Sequence, residues 1–287
     1  MTGRHGGTAV AAAWMAGAIA AFSLLAVAGR EVSPEFDTFE IMLWRSGFGL
    51  LVVTALMVAR GRLADARPRR LAVHGARNLI HFAGQNLWFH ALAVLPLAQV
   101  FALEFTSPLW VLLLAPLLLG ERLTRRGLLA GAVGFLGVLL VARPGVVAIS
   151  PGLLAAALCA VCFALTSIVT KRLTRTEPVT AILFWLCLIQ LGLSLLVTAR
   201  DGVVPVPGPD LLPWFGVIGI AGLAAHWCLT SALSAAPASV VMPLDFLRLP
   251  VIAVVGWAAY GEALDPLLFL GAGLILAGNL LTLRPSS

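Results

Sequence analysis

The sequence predicts an all-α integral membrane protein in which ten transmembrane helices form two inverted five-helix repeats around a central cavity. Three observations predict it. Of 287 residues, 60% are hydrophobic and 11% charged, with a mean hydropathy of +1.00, whereas a soluble domain carries about 25% charged residues. Apolar stretches recur along the whole chain, each near the roughly 20 residues a helix needs to cross ~30 Å of hydrocarbon. Finally, a shift of 141 positions lays the second half on the first. Pro96, Leu103, Phe105, Gly120-Glu121, Gly137 and Arg143-Pro144 fall on Pro237, Leu244, Phe246, Gly261-Glu262, Gly278 and Arg284-Pro285, and the acid Glu104 falls on the acid Asp245. Each copy holds an odd number of spans, so the second enters the bilayer inverted, the plan of carriers whose substrate lies between the halves.

The spans follow in order as 9–28, 38–59, 71–94, 97–119, 126–142, 151–170, 179–199, 211–234, 238–259 and 266–283. Residues 9–28 follow Arg4 but precede no small-residue cleavage site, so they read as a retained first helix. Span three carries His74, Arg77, Asn78, His81, Gln85 and Trp88 at helical spacing, a polar and aromatic face that reads as a cavity wall. Asn86 and His90 lie off that face and read as packing. Spans four and nine hold Pro108, Pro116, Pro243 and Pro250, each removing a backbone hydrogen bond, so both should bend. Spans five and ten, with Gly127, Gly131, Gly134 and Gly137, then Gly271, Gly273 and Gly278, have no ionisable group at depth and read as closely packed scaffold or dimer helices. Ser150-Pro151 and Asp265-Pro266 read as an N-cap followed by a first-turn proline, and Thr124 as the cap of span five. The repeats are taken as residues 1–146 and 147–287, joined by a turn at Pro144-Gly145.

Charge sets the orientation. The formal net charge of +6 would suit nucleic acid if it formed one face, but the basic residues gather in alternate loops. With the N-terminus inside, the inner segments hold Arg4, Arg60, Arg62, Arg67, Arg69, Arg70, Arg122, Arg125, Arg126, Lys171, Arg172, Arg175 and Arg284, and the outer ones only Arg30, Arg143 and Arg200. Both termini are therefore expected in the cytoplasm of a cell whose inner membrane holds the chain. No phosphate-binding loop, HExxH or GxSxG is present, so neither an ATP-driven pump nor an enzyme is expected. Cys159, Cys162, Cys187 and Cys228 all sit in apolar spans and read as packing residues, so no metal or cofactor is expected.

Five charges remain inside spans: Arg45, Arg77 and Arg248, and the acids Glu104 and Asp245. Each costs at least about 2.5–3.5 kcal/mol at a helix centre, so each must pair or face a polar cavity. Depth suggests Arg45 with Glu104 and Arg77 with Asp245, while Asp245 and Arg248 are i,i+3 neighbours. These groups are either structural ion pairs or lining of the substrate path. Three arginines against two acids leave one positive charge suited to a carboxylate, and Arg248 is the first candidate to hold it. Gln85 falls on His226 in the repeat, and Phe22 on Phe163. Phe22, Phe163, Trp88 and Trp110 lie at mid-depth and either pack or wall an apolar part of the cavity. Glu121 and Glu262, each beside a glycine at a span end, read as helix-junction groups near the next helix N-terminus.

The ten-span layout with its repeated pattern resembles the EamA-type branch of the drug/metabolite transporter superfamily. The residues carrying it are Phe105-Thr106-Ser107-Pro108 and Gly120-Glu121-Arg122-Leu123 in one copy, and Pro243 to Pro250 with Gly261-Glu262 in the other. The resemblance implies a basket with spans five and ten at its periphery, and is nearest in kind to amino-acid exporters of the YddG type. It implies Gln85, Ser107, Phe163, Asp245 and Arg248 around the substrate. With the residues read above, the expected binding set is Phe22, Arg45, His81, Gln85, Trp88, Glu104, Ser107, Phe163, His226, Asp245 and Arg248. The expectation is a carrier working without ATP by alternating access, as a monomer or weak homodimer, exporting amino acids. The alternatives are uptake of a nucleotide- or vitamin-like metabolite and efflux of cationic drugs.

Overall fold

The computed structural model describes residues 2–119, 125–142, 149–200, 204–236, 241 and 244–283. All regular structure among them is helical: α1 (Thr2–Val32), α2 (Thr38–Ala59), α3 (Leu71–Val94), α4 (Leu97–Glu104), α5 (Ser107–Leu119), α6 (Arg125–Ala142), α7 (Pro151–Leu173), α8 (Val179–Thr198), α9 (Leu212–Ala235), α10 (Arg248–Tyr260) and α11 (Pro266–Leu283), with 3₁₀ turns at Leu63–Ala66 and Asp245–Leu247. Five of them hold segments long and apolar enough to cross a membrane: Ala9–Val32, Thr38–Ala59, Pro151–Leu173, Val179–Thr198 and Leu212–Ala235. Helix α3 is as long, at 24 residues, but its polar face lowers its mean hydropathy.

Local chemistry sets several ends. The Ser150 hydroxyl accepts from Leu153 N at 3.2 Å with Pro151 as first helical residue, and Asp265 accepts from Leu267 N at 2.9 Å ahead of Pro266. Both caps expected from sequence are thus present; Thr124 lies outside the described residues. Asp37 and Glu40 form a reciprocal capping box at the start of α2. Helix α1 runs four residues past the expected end at 28, because Arg30 in its last turn is anchored to Glu262 and to the Leu95 carbonyl.

Spans four and nine are both interrupted. Span four, expected as one helix over 97–119, divides into α4 and α5 at Phe105-Thr106. Pro108 has no N–H for the Glu104 carbonyl four residues back, and the Ser107 hydroxyl donates to that carbonyl instead. In span nine the described part begins with Leu244, passes through the 3₁₀ turn Asp245–Leu247 and enters α10 two residues before Pro250. Pro243 lies outside the described residues.

Packing repeats the internal symmetry. Helix α1 runs along α9 and α3 along α7, one contact made twice, since α7 is the repeat mate of α1 and α9 of α3. The mates α2 and α8 pack on each other, as do α6 and α11. A Cβ at Gly137 of α6 would strike the Gly271 carbonyl of α11, so glycine permits the backbones to touch. The two ends of the bundle are closed differently. At the acidic end Glu262 pairs with Arg30 and accepts the Leu97 N–H at 2.9 Å, while Arg30 donates to the Leu95 carbonyl at 2.7 Å. At the basic end Lys171 donates to the carbonyls of Leu233 at 2.6 Å and Ala236 at 3.1 Å. Arg30 and Lys171 are repeat mates, and so are Leu95 and Ala236. The expected junction role of Glu262 therefore holds, but it serves the N-terminus of α4 in the other repeat rather than the helix that follows it. Glu121 lies outside the described residues.

Candidate functional site

A cavity lined by side chains of both repeats lies between them, concave and mostly apolar with a few convergent polar groups, as small-molecule sites are. Ten of the eleven expected residues line it: Phe22, His81, Gln85, Trp88, Glu104, Ser107, Phe163, His226, Asp245 and Arg248. Arg45 is the exception. Its Nη1 donates to Gln190 Oε1 at 2.9 Å. The mated α2 and α8 close on each other, and a Cβ at Gly222 of α9 would lie 2.6 Å from its Nε, so the guanidinium is walled off from the cavity. Trp110 also lies elsewhere, with its Nε1 donating to the Thr106 hydroxyl at 3.1 Å.

The interruptions of spans four and nine place the acid cluster. They carry Glu104, Asp245 and Arg248 to the crossing of the two repeats. Arg248 Nη2 donates to Glu104 Oε1 and to Asp245 Oδ2, each at 2.7 Å, with Arg248 only 1% exposed. Trp88 Nε1 donates to the other Glu104 oxygen at 2.8 Å. The guanidinium also lies 4.7 Å from the centroids of both the Phe22 and Phe101 rings, an arrangement that favours a cation. The two repeat-mated acids thus share one arginine that exists in only one repeat, where the other repeat has Ser107. The depth-based pairings do not form: Arg248 takes both acids, and Arg45 and Arg77 have neither. Depth gives height along the helices but not the direction each side chain faces around them.

Rings form a continuous wall. Phe22 meets His226 edge-on at 5.4 Å between centroids, His226 meets His81 edge-on at 4.8 Å, and His81 lies 5.7 Å from Phe163. The wall crosses from α1 through α9 and α3 to α7, with the mates Phe22 and Phe163 at its ends. Both His81 nitrogens, His226 Nε2 and Gln85 Oε1 are buried and have no hydrogen-bond partner among the described residues. A buried polar group left unmatched costs about 1–3 kcal/mol, so this set suits a ligand or water that supplies the missing bonds.

The polar face of α3 divides. Arg77, His81, Gln85 and Trp88 line the cavity. His74 instead turns to Glu177, with Nε2 at 3.7 Å from Oε1, and Asn78 donates to the Trp185 carbonyl at 3.1 Å. At the basic end of α3, α8 and the connections beside it fill the space that the cavity occupies further along. Sequence reading missed Thr166, Ser167 and Thr170 of α7 and Thr230 of α9. The signal was present: Phe163, Ser167 and Thr170 fall at i, i+4 and i+7, and Thr230 is i+4 from His226. Hydroxyls are common in apolar helices as back-bonding groups, so they carry little weight without a partner face.

The EamA-like transporter family model matches the chain twice, over residues 9–143 and 150–284. A riboflavin transporter of Rhizobium johnstonii is 33% identical over 277 residues, 96% of this chain and 91% of that one. A riboflavin transporter of Brucella anthropi is 31% identical over 251 residues, 86% and 88% of the two chains. An S-adenosylmethionine uptake transporter of Rickettsia prowazekii is 25% identical over 267 residues, 93% and 90%. A crystal structure at 23% identity superposes with a TM-score of 0.70 over 97% of this chain and 96% of its own, which shows a shared fold.

Proposed function

The chain belongs to the EamA-like transporter family, and from that premise we propose that it carries a vitamin- or nucleotide-like heteroaromatic metabolite into the cell, with a flavin as the first substrate to test. The observation that carries this reading is the ring wall of Phe22, His226, His81 and Phe163. A flat heterocycle can stack against these rings while its edge meets the unmatched atoms of His81, Gln85 and His226. The riboflavin and S-adenosylmethionine transporters similar to this chain along most of its length support the same class.

Amino-acid export, the first expectation, gives way to the uptake alternative. It leaned on Arg248 as a free cation for a carboxylate, and Arg248 is bound by two acids. The name of the S-adenosylmethionine uptake transporter points to uptake as well. In this proposal residues 1–146 and 147–287 are the two rocking units, the basic end faces the cytoplasm with both termini, and the membrane is the bacterial inner one. The cavity residues Phe22, His81, Gln85, Trp88, Ser107, Phe163 and His226 contact the substrate, and Glu104, Asp245 and Arg248 form the polar crossing beside it.

Expression in a riboflavin-auxotrophic bacterium tests the reading. Growth on limiting riboflavin and uptake of labelled riboflavin should rise above the empty-vector level, with competition by unlabelled flavin and not by phenylalanine or methionine. Uptake at the vector level, with the protein present in the membrane, overturns it. Competition by S-adenosylmethionine alone would move the substrate to that metabolite.

A further inference from the structure

Among the described residues Arg77 is a buried cation with no anion. It is 2% exposed and lines the cavity toward its basic end. Its Nε donates to Thr170 Oγ1 at 3.1 Å and its Nη1 to Asn78 Oδ1 at 2.7 Å, both neutral acceptors. Among the described residues Nη2 has no hydrogen-bond partner and no carboxylate lies within ion-pair distance of the guanidinium. Arg45, 5% exposed, is held by Gln190 and equally lacks a carboxylate. The two acids at depth are both consumed by Arg248. The positive excess of this membrane interior therefore resides at Arg77 and Arg45, not at Arg248, and only Arg77 opens on the cavity.

An unpaired buried charge costs several kcal/mol even after relaxation, and a guanidinium presents a planar fork matched to oxyanions. One turn from Thr170 on the same helix, Thr166 Oγ1 lies on the cavity wall, buried and without a partner among the described residues. We propose that Arg77, with Thr166 and Thr170, is an anion subsite that takes a phosphate or carboxylate group carried by the transported metabolite. This rests on the reading of the cavity as the substrate site. The cavity is then bipolar: rings at its centre, an acid-rich crossing at one side and an oxyanion pocket toward the basic end.

The test is thermal stabilisation of the detergent-purified full chain by riboflavin, by riboflavin 5′-phosphate and by sodium phosphate, each at matched ionic strength in sodium chloride. The phosphate ester should stabilise at roughly tenfold lower concentration than riboflavin, as one added charge-assisted contact requires. Arg77→Gln should erase that advantage while leaving riboflavin's own effect in place. Thr166→Val should reduce it, and Arg77→Lys should retain part of it; these two decide the matter if Arg77→Gln does not fold. Stabilisation by sodium phosphate that needs Arg77 supports the subsite with a free anion as its source, even where neither flavin binds and the flavin reading fails. Equal midpoints for the ester and riboflavin with no effect of sodium phosphate, or an ester advantage that survives in Arg77→Gln, overturn the proposal.

Discussion

Removing Arg248 should damage this protein more than removing either acid it holds. In Arg248→Gln, Glu104 and Asp245 stay at the crossing of the repeats without the nitrogen that both accept from at 2.7 Å. Their side chains are 10% and 14% exposed, so water compensates little. Breaking a buried pair by deleting one partner costs about 3–5 kcal/mol. Glu104→Gln is milder, because Arg248 keeps Asp245 as counter-ion, although the single amide oxygen can accept from Arg248 or from Trp88 but not from both. The loss is then one buried donor left unmatched, about 1–3 kcal/mol. With roughly 2 °C of midpoint per kcal/mol for a chain of this size, Arg248→Gln should unfold about 6–10 °C lower and Glu104→Gln about 2–6 °C lower, by thermal denaturation of purified protein. The pair is also testable by a cycle. Arg248→Gln combined with Glu104→Gln and Asp245→Asn should recover much of the loss, since no net charge remains at the crossing. If Glu104→Gln proves as costly as Arg248→Gln, or the triple variant is worse than Arg248→Gln alone, the shared-arginine reasoning is wrong.

The acidic-end closure gives another expectation. Glu262→Gln weakens the hold on Arg30 and on the Leu97 N–H, so a cysteine placed at the cavity residue Leu25 should label faster with an impermeant maleimide from outside intact cells. The background would lack the four native cysteines; unchanged labelling refutes a gating role for Glu262. At the ring wall, Phe22→Ala and Phe163→Ala should each raise the half-saturating flavin concentration roughly 2–10-fold, from about 0.5–1.5 kcal/mol of ring contact. Equal uptake curves would remove the rings from recognition. Gly137→Val should behave in the opposite way, losing about 1–3 kcal/mol through contact with the Gly271 carbonyl while riboflavin half-saturation stays unchanged.

The positions of the charges carry functional weight beyond stability. A net positive charge inside the spans was legible by counting, but its location decides which ligand the protein can take. At Arg248 it would have met a carboxylate at mid-depth. At Arg77 it lies at one side of the ring-lined cavity, where the proposed anion subsite would use it.

The sequence by itself determined the helical membrane class, the doubled and inverted repeat, the caps at Ser150 and Asp265 and the break of span four ahead of Pro108. Each rests on chemistry local to the chain: apolar length, a side-chain oxygen beside free N–H groups, a missing N–H. It also marked most of the cavity wall, because a polar face on a lipid-embedded helix must turn inward. Only the tertiary structure decided the partners. Arg45 turned to Gln190 and Arg248 gathered both acids, while Arg77 kept only Thr170 and Asn78. A side chain's partner depends on how neighbouring helices are rotated about their axes, and that rotation is set by packing between segments far apart in the chain. Periodicity within one helix contains no record of it.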